Sequence, residues 1–173
     1  MKYLKPLAAA ACATLCAVSL SACNAVTPGK STLLGEPNKP TTVTYEQITS
    51  NEFTNFKTKV EAFASEFASS AYEVREQDGN FAVSPVSVYM ALSLAAECAD
   101  GQTREEILSG LGVTYNQLRD NYATLYNSLM DERTVNGKVS SMLLPSNSIW
   151  VNEGTSVNTS CIDALSEYYY ACS

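Results

Sequence analysis

Histidine is absent from the 173-residue chain, and this absence excludes several classes of enzyme. Without an imidazole there is no Ser-His-Asp or Cys-His nucleophile and no His-ligated zinc site. The G-x-S-x-G and S-x-x-K patterns of other serine nucleophiles do not occur either. Gly110 and Gly112 are too close together for a phosphate-binding loop and are typical of a helix end. The sequence therefore predicts no enzyme activity, cofactor, metal or small-molecule substrate.

Basic residues are also few. The chain has 11 Lys and Arg against 18 Asp and Glu. Lys2 and Lys5 lie in the amino-terminal leader, so the rest of the chain carries 9 Lys and Arg and a net charge of about −9. No run of Lys or Arg occurs, whereas binding to a phosphate backbone needs clustered cations. We therefore expect no nucleic-acid partner, and we interpret the acidic balance as a source of solubility.

The first 22 residues have the composition of a secretory signal. Two lysines precede a run of small and apolar residues, 6–20, which is shorter than the roughly 20 apolar residues of a membrane-spanning helix. The run ends in Leu20-Ser21-Ala22-Cys23, which resembles a bacterial lipobox. We therefore predict a lipoprotein signal peptide over residues 1–22, a lipid on Cys23, and a secreted protein anchored to the membrane at the cell surface. The alternatives are an ordinary signal peptide cleaved after Ala22, or a cysteine at this position by chance.

Three cysteines follow Cys23, namely Cys98, Cys161 and Cys172. An odd number in an exported chain, with no C-x-x-C pair, indicates neither a disulfide pattern nor a metal site. We predict isolated buried thiols, above all for Cys98 in an apolar helix, since cysteine behaves as a small apolar residue. Cys172 is expected to be a free thiol, and no disulfide is assigned.

Residues 23–48 are rich in Pro, Thr, Asn and Lys, a composition typical of an extended, flexible tether. At about 3.3 Å per residue such a tether would hold a folded domain tens of ångströms from a membrane. The alternative is a disordered leader without a spacing role. The folded domain is predicted over residues 49–173.

Helical periodicity dominates the first half of that domain. A helix is predicted to begin near Ser50 or Asn51 and to end at Asp78-Gly79, with an apolar face at three- and four-residue steps. That face consists of Phe53, Phe56, Val60, Phe63, Phe67, Ala71 and Val74. A second helix, from Pro85 to about residue 99, is apolar on most sides, as is typical of a helix buried in a larger protein.

Further elements follow from caps and turns. Thr103 and Glu106 have the spacing of a capping box, and Gly112 ends the helix that they start. Residues 114–132 are predicted to form another amphipathic helix, and Thr159 or Ser160 is expected to cap a last one. Strands are predicted over residues 81–83 and, after an Asn136-Gly137 turn, over residues 139–152, where Pro145 interrupts the pairing.

Three motifs in this order resemble the amino-terminal region of the serpins, a family of protease inhibitors. Asn80-x-x-x-Ser84-Pro85-x-Ser87 is similar to the family's strand-to-helix signature, and Gly101-x-Thr103-x-x-Glu106-Ile107 to the helix start that follows it. Asn147-Ser148-Ile149-Trp150-Val151 resembles the end of a central sheet strand. The resemblance implies an α+β fold, namely the amino-terminal helical part of a serpin-like fold with one or two strands of the central sheet, incomplete.

The resemblance also implies a role for Asn80, Ser84, Pro85 and Ser87 as shutter-like positions. In the family this helix start lies beneath the central sheet, where the sheet parts to admit the reactive loop. Small hydroxyl side chains there exchange hydrogen bonds between two backbone arrangements at little cost. The alternative is purely structural: Ser84 is an N-cap, Pro85 a first-position proline and Ser87 a first-turn residue.

The family's function is inhibition of a serine protease, or of a cysteine protease, by insertion of a cleaved loop into the sheet. Serpins carry this reactive loop near the carboxyl end, and residues 1–173 contain no counterpart of it. We therefore expect a truncated, non-inhibitory serpin lipoprotein of marginal stability, with exposed apolar patches and sheet edges. The alternative is a surface-tethered binding or structural lipoprotein that needs a partner chain to complete its sheet.

Overall fold

The computed structural model describes residues 32–76, 79–130, 132–152 and 154–171. The chain divides into two units, Met1–Thr32 and Leu33–Ser173, and nearly all described residues belong to the second. Its helices are α1 (Tyr45–Thr49), α2 (Asn51–Glu73), α3 (Pro85–Cys98), α4 (Gly101–Leu111), α5 (Tyr115–Leu129) and α6 (Thr159–Tyr169). Two short strands, β1 (Glu132–Val135) and β2 (Lys138–Met142), lie between α5 and α6.

Helix α2 begins at the predicted position and ends earlier than predicted. The Ser50 hydroxyl caps the helix by accepting a hydrogen bond from the Phe53 N–H at 3.1 Å. The helix ends at Glu73 instead of at residues 78–79, of which Asp78 lies outside the described residues. The last carbonyl groups of a helix have no partner within the helix. Arg75 donates a hydrogen bond to one of them, the Tyr72 carbonyl. Val74, predicted to lie on the apolar face, is 85 % exposed.

Helix α3 is the central helix of the described unit. It begins at Pro85 as predicted and packs against α2, α4 and α6. These neighbours cover much of its apolar surface, so that Tyr89, Met90 and Leu94 are buried. The strand predicted over residues 81–83 is wrong, because no described strand pairs with this extended stretch.

Two of the predicted caps are corrected. Helix α4 begins at Gly101, since the Asp100 carboxylate accepts from the Gly101 N–H at 2.8 Å, so Thr103 and Glu106 lie inside the helix and form no capping box. Gly112 ends α4 with a φ of 71°, a left-handed conformation that favours glycine. In α6 the cap is Asn158, one residue before the earlier of the two predicted caps, Thr159 and Ser160.

The long strand predicted over residues 139–152 is mostly wrong. Strands β1 and β2 pair antiparallel around Asn136-Gly137, a turn that the sequence predicts correctly and in which both residues have positive φ. The pairing ends at Met142, opposite Glu132, and Pro145 has no N–H with which to extend a ladder. The described residues are therefore mostly helical, and the predicted α+β class, with strands of a central sheet, is not confirmed.

The core lies where α2, α3, α5 and α6 meet. Leu118 and Tyr122 from α5 are fully buried, as are Leu165 and Tyr169 from α6. The rings of Tyr122 and Tyr169 lie 4.6 Å apart between centroids, and such aromatic pairs add to the free energy of area burial. No helix in the described part of the chain is both long and apolar enough to cross a membrane.

An extended arm, residues 36–41, lies against α6 although the sequence places it in the tether. The Asn38 N–H donates to the Ser166 carbonyl at 3.2 Å, and the Thr41 and Tyr170 hydroxyls share a hydrogen bond at 2.9 Å. Part of the predicted tether is thus in contact with α6 and the residue that follows it.

Candidate functional site at the start of helix α3

The structure brings three of the four predicted site residues together. Ser84 is the N-cap of α3, and its Oγ accepts from the Ser87 N–H at 3.4 Å and lies 2.8 Å from the Ser87 Oγ. Pro85 occupies the first helical position, where its missing N–H removes no hydrogen bond. Asn80 lies four residues before the cap in an exposed, extended stretch, and it makes no hydrogen bond to the three in the part of the chain described. The capping geometry is thus as the structural alternative predicts.

The Ser84 and Ser87 hydroxyls, which we call the Ser84–Ser87 pair, face solvent. Ser84 and Ser87 are exposed and Pro85 is half-buried. An exposed hydroxyl pair both donates and accepts, so each serine can exchange its present partner for a new one without leaving a buried polar group unpaired. The structure thus shows the pair in its capping role.

Large apolar side chains are exposed on both extended stretches that the sequence assigns to strands. Phe81 and Val83 lie just before the Ser84 cap, and Leu143, Leu144 and Trp150 follow β2. Trp150 is 78 % exposed. Apolar side chains exposed together on extended backbone are typical of a surface that packs against further polypeptide. These stretches are therefore candidate surfaces for binding.

A buried carboxylate lies at the other end of α3, and the sequence analysis missed it. Glu97 is 7 % exposed and accepts four hydrogen bonds. The Tyr115 hydroxyl donates at 2.8 Å, the Tyr169 hydroxyl at 3.0 Å, and Nε and Nη2 of Arg119 each at 3.1 Å. We call these four residues the Glu97 cluster. It joins α3 to both α5 and α6.

The electrostatics of the cluster follow from burial and from the single carboxylate. Burial opposes the charge of Arg119, but the adjacent Glu97, together with Tyr115 and Tyr168, outweighs it and raises the pKa of the guanidinium. Burial and then Glu97 raise the pKa of the Tyr115 and Tyr169 hydroxyls, which therefore stay protonated and donate. One signal in the sequence indicates this site: Glu97 continues the buried positions Met90 and Leu94 at helical spacing.

Cys98 and Cys161 form a disulfide, contrary to the prediction of isolated thiols. Their Cα atoms are 5.4 Å apart, although 63 positions separate them in the sequence. Cys98 is exposed rather than buried, since the last residue of α3 faces away from the core beside Glu97. Cys172 and the predicted lipidation site Cys23 lie outside the described residues.

Metal chemistry finds no support within the ranges described, where no three His, Cys, Asp or Glu side chains are grouped to hold an ion. A carboxylate with four donors is already satisfied, and the Ser84–Ser87 pair has hydroxyls alone. The Glu97 cluster is thus suited to holding helices together, and the Ser84–Ser87 pair to binding through hydrogen bonds.

A family model described as serpin (serine protease inhibitor) matches residues 58–172, from within α2 to beyond α6. No curated protein and no solved structure matches the chain.

Proposed function

The chain belongs to the serpin family, and we propose that residues 58–172 are the helical scaffold of an inhibitor of a serine-type or cysteine-type endopeptidase. Serpins are in general inhibitors and not catalytic enzymes. The observation that carries the proposal is the family match, which extends over α3, its Ser84 cap, and the helices that pack against α3.

We further propose that the polypeptide of residues 1–173, tested by itself, does not trap a protease. Trapping by a serpin requires a sheet that opens to take in the cleaved loop as a new strand. The sheet that the structure describes has two strands, β1 and β2, and no segment of the sequence resembles the reactive loop.

The test is electrophoresis of the purified chain after incubation with a trypsin-like, a chymotrypsin-like and a papain-like protease. We expect no complex that survives boiling in detergent and full residual protease activity, whereas an inhibitory serpin run in parallel gives both complex and inhibition. A detergent-stable band with any of these proteases would overturn the non-inhibitory proposal.

A second function is supported by the exposed apolar stretches, namely a binding or structural role that needs a partner chain to complete the sheet. Leu143, Leu144 and Trp150 are exposed on backbone that follows a strand. A polypeptide carrying the remaining serpin strands should bind there and shift the Trp150 emission to shorter wavelength. Changing Leu143 and Leu144 to Ser should weaken this binding, while Leu33→Ser, at a similarly exposed leucine elsewhere, should not. Equal effects of both changes would contradict a specific docking surface.

For the location of the protein we propose lipid anchoring through Cys23 at the outer surface of a bacterial membrane. The lipobox-like Leu20-Ser21-Ala22-Cys23 supports this. The Cys98–Cys161 disulfide supports export independently, since disulfides persist in oxidising compartments. Mass spectrometry of the protein from a bacterial membrane should find a diacylglycerol on Cys23, and Cys23→Ser should release the protein from the membrane. An unmodified Cys23 would contradict the anchor.

A further inference from the structure

The segment that leads from Trp150 into α6 has little contact with the rest of the described structure. We call the described residues of this stretch, 150–152 and 154–160, the clamped segment. Just before it, Ile149 packs against the core, and the Asn147 Nδ2 donates to the Tyr122 hydroxyl at 3.5 Å. These contacts hold the chain on the core just before the segment begins.

Within the clamped segment, the described residues form hydrogen bonds only with near neighbours in the sequence. Trp150 donates to Ser148, Thr155 to Asn152, and Ser160 to Asn158. Most of these residues are exposed. The segment therefore depends on its two ends for its position, and its far end is Cys161.

Cys161 is joined to Cys98, and the two ends of this disulfide differ in accessibility. Cys98 is exposed at the end of α3, whereas Cys161 is half-buried in the first turn of α6. An attacking thiolate therefore reaches the Cys98 sulfur more easily.

We propose that the Cys98–Cys161 disulfide is a redox-sensitive clamp, and that its reduction by a dithiol frees the clamped segment while the helical core stays folded. One thiolate of the dithiol attacks the Cys98 Sγ, the bond to Cys161 breaks, and the departing Cys161 thiolate takes up a proton. The second thiol of the reductant then attacks the mixed disulfide and releases Cys98 as a thiol. The reductant becomes a disulfide, having given two electrons and two protons to the cysteine pair.

The core keeps its own contacts after reduction. Tyr169 still donates to Glu97, Leu165 stays buried, and the arm still bonds to Ser166 and Tyr170. These contacts hold the second half of α6, beyond Cys161. Reduction therefore removes the fixed point of the clamped segment and leaves the packing of α6 on α3 and α5, which is local release and not unfolding.

Trp150 reports on this release because it is the only tryptophan of the chain and lies at the start of the clamped segment. Free thiols of the full chain are first alkylated without reductant, so that any thiol that appears after dithiothreitol comes from a disulfide. Upon reduction we expect the steady-state fluorescence anisotropy of Trp150 to fall by about one third, as the side chain gains nanosecond motion. The helical circular dichroism should stay the same.

Hydrogen exchange locates the release. Amides in residues 150–160 should exchange at least about tenfold faster after reduction, while those of α5 keep their rates. The double variant Cys98→Ser, Cys161→Ser should have the low anisotropy with or without dithiothreitol. Unchanged anisotropy and exchange after reduction would show that other contacts hold the segment. Loss of the helical circular dichroism would show that the disulfide stabilises the whole fold. Either result overturns the clamp.

Discussion

Glu97→Gln is the substitution that most sharply tests how the described helices are held together. The change keeps the shape of the side chain but removes its charge and replaces one acceptor oxygen by a donor. In the folded state the Glu97 side chain is 5 % exposed and accepts from Tyr115, Tyr169 and twice from Arg119. Arg119 cannot accept a hydrogen bond, so the new amide leaves at least one buried donor unpaired.

The magnitude follows from the burial of the two partners. Breaking a buried ion pair by removing one partner costs about 3–5 kcal/mol. The Arg119 side chain is 30 % exposed, so water solvates part of the charge that loses its partner. We therefore expect Glu97→Gln to lower the free energy of unfolding by about 3 kcal/mol, the lower end of that range.

The assay is urea unfolding at pH 7 followed by far-ultraviolet circular dichroism. The matched control is Glu61→Gln, since Glu61 pairs with Lys57 on the surface of α2 at 3.7 Å with both side chains more than half exposed. This control should change the free energy of unfolding by less than about 0.5 kcal/mol. Similar small losses for the two variants would refute the conclusion that the Glu97 cluster holds α3, α5 and α6 together.

Three further outcomes follow from the described side chains. The Tyr89 hydroxyl is buried without a hydrogen-bond partner among the described residues, so Tyr89→Phe should raise the free energy of unfolding by about 1 kcal/mol, and a decrease would reveal an unseen partner. Gly112→Ala should lower it by about 1 kcal/mol because of the left-handed φ, while Gly110→Ala, inside α4, should not lower it. Burial raises the pKa of Tyr122 and Tyr169 above the usual 10.0, so stability should fall above about pH 10, where these two tyrosines ionise in the unfolded chain and not in the folded one. Part of the rise in absorbance at 295 nm from the ten tyrosines should therefore appear only with unfolding, and ionisation of all ten in the folded protein would contradict this.

The helices could be predicted from the sequence because their signals are local. The spacing of Phe53, Phe56 and Val60 shows the buried face of α2, and the order Ser84-Pro85 shows the start of α3. These patterns depend on residues within one or two turns, where helical geometry relates position to direction. The predicted helix ends differ from those in the structure by one residue to a few. The cap of α6, for example, is Asn158, whereas the sequence predicts Thr159 or Ser160.

Long-range pairs could not be predicted in the same way. Cys98 and Cys161 approach only because α6 packs on α3, and an odd cysteine count concealed the pair. The hydrogen bonds of Glu97 come from two other helices, so a charge that looks solvated in the sequence is buried. The strand over residues 139–152 failed for a related reason, since an extended stretch becomes a strand only where a second one pairs with it.

A chimera tests most sharply whether residues 58–172 are a serpin scaffold. It joins residues 1–172 of this chain to the remaining carboxyl-terminal part of an inhibitory serpin. We expect the chimera to form a detergent-stable complex with the protease of that serpin, and the 173-residue chain to form none. Circular dichroism and a cooperative thermal transition establish that the chimera is folded. A folded chimera that gives no complex would contradict the claim that residues 58–172 are a serpin scaffold for inhibition.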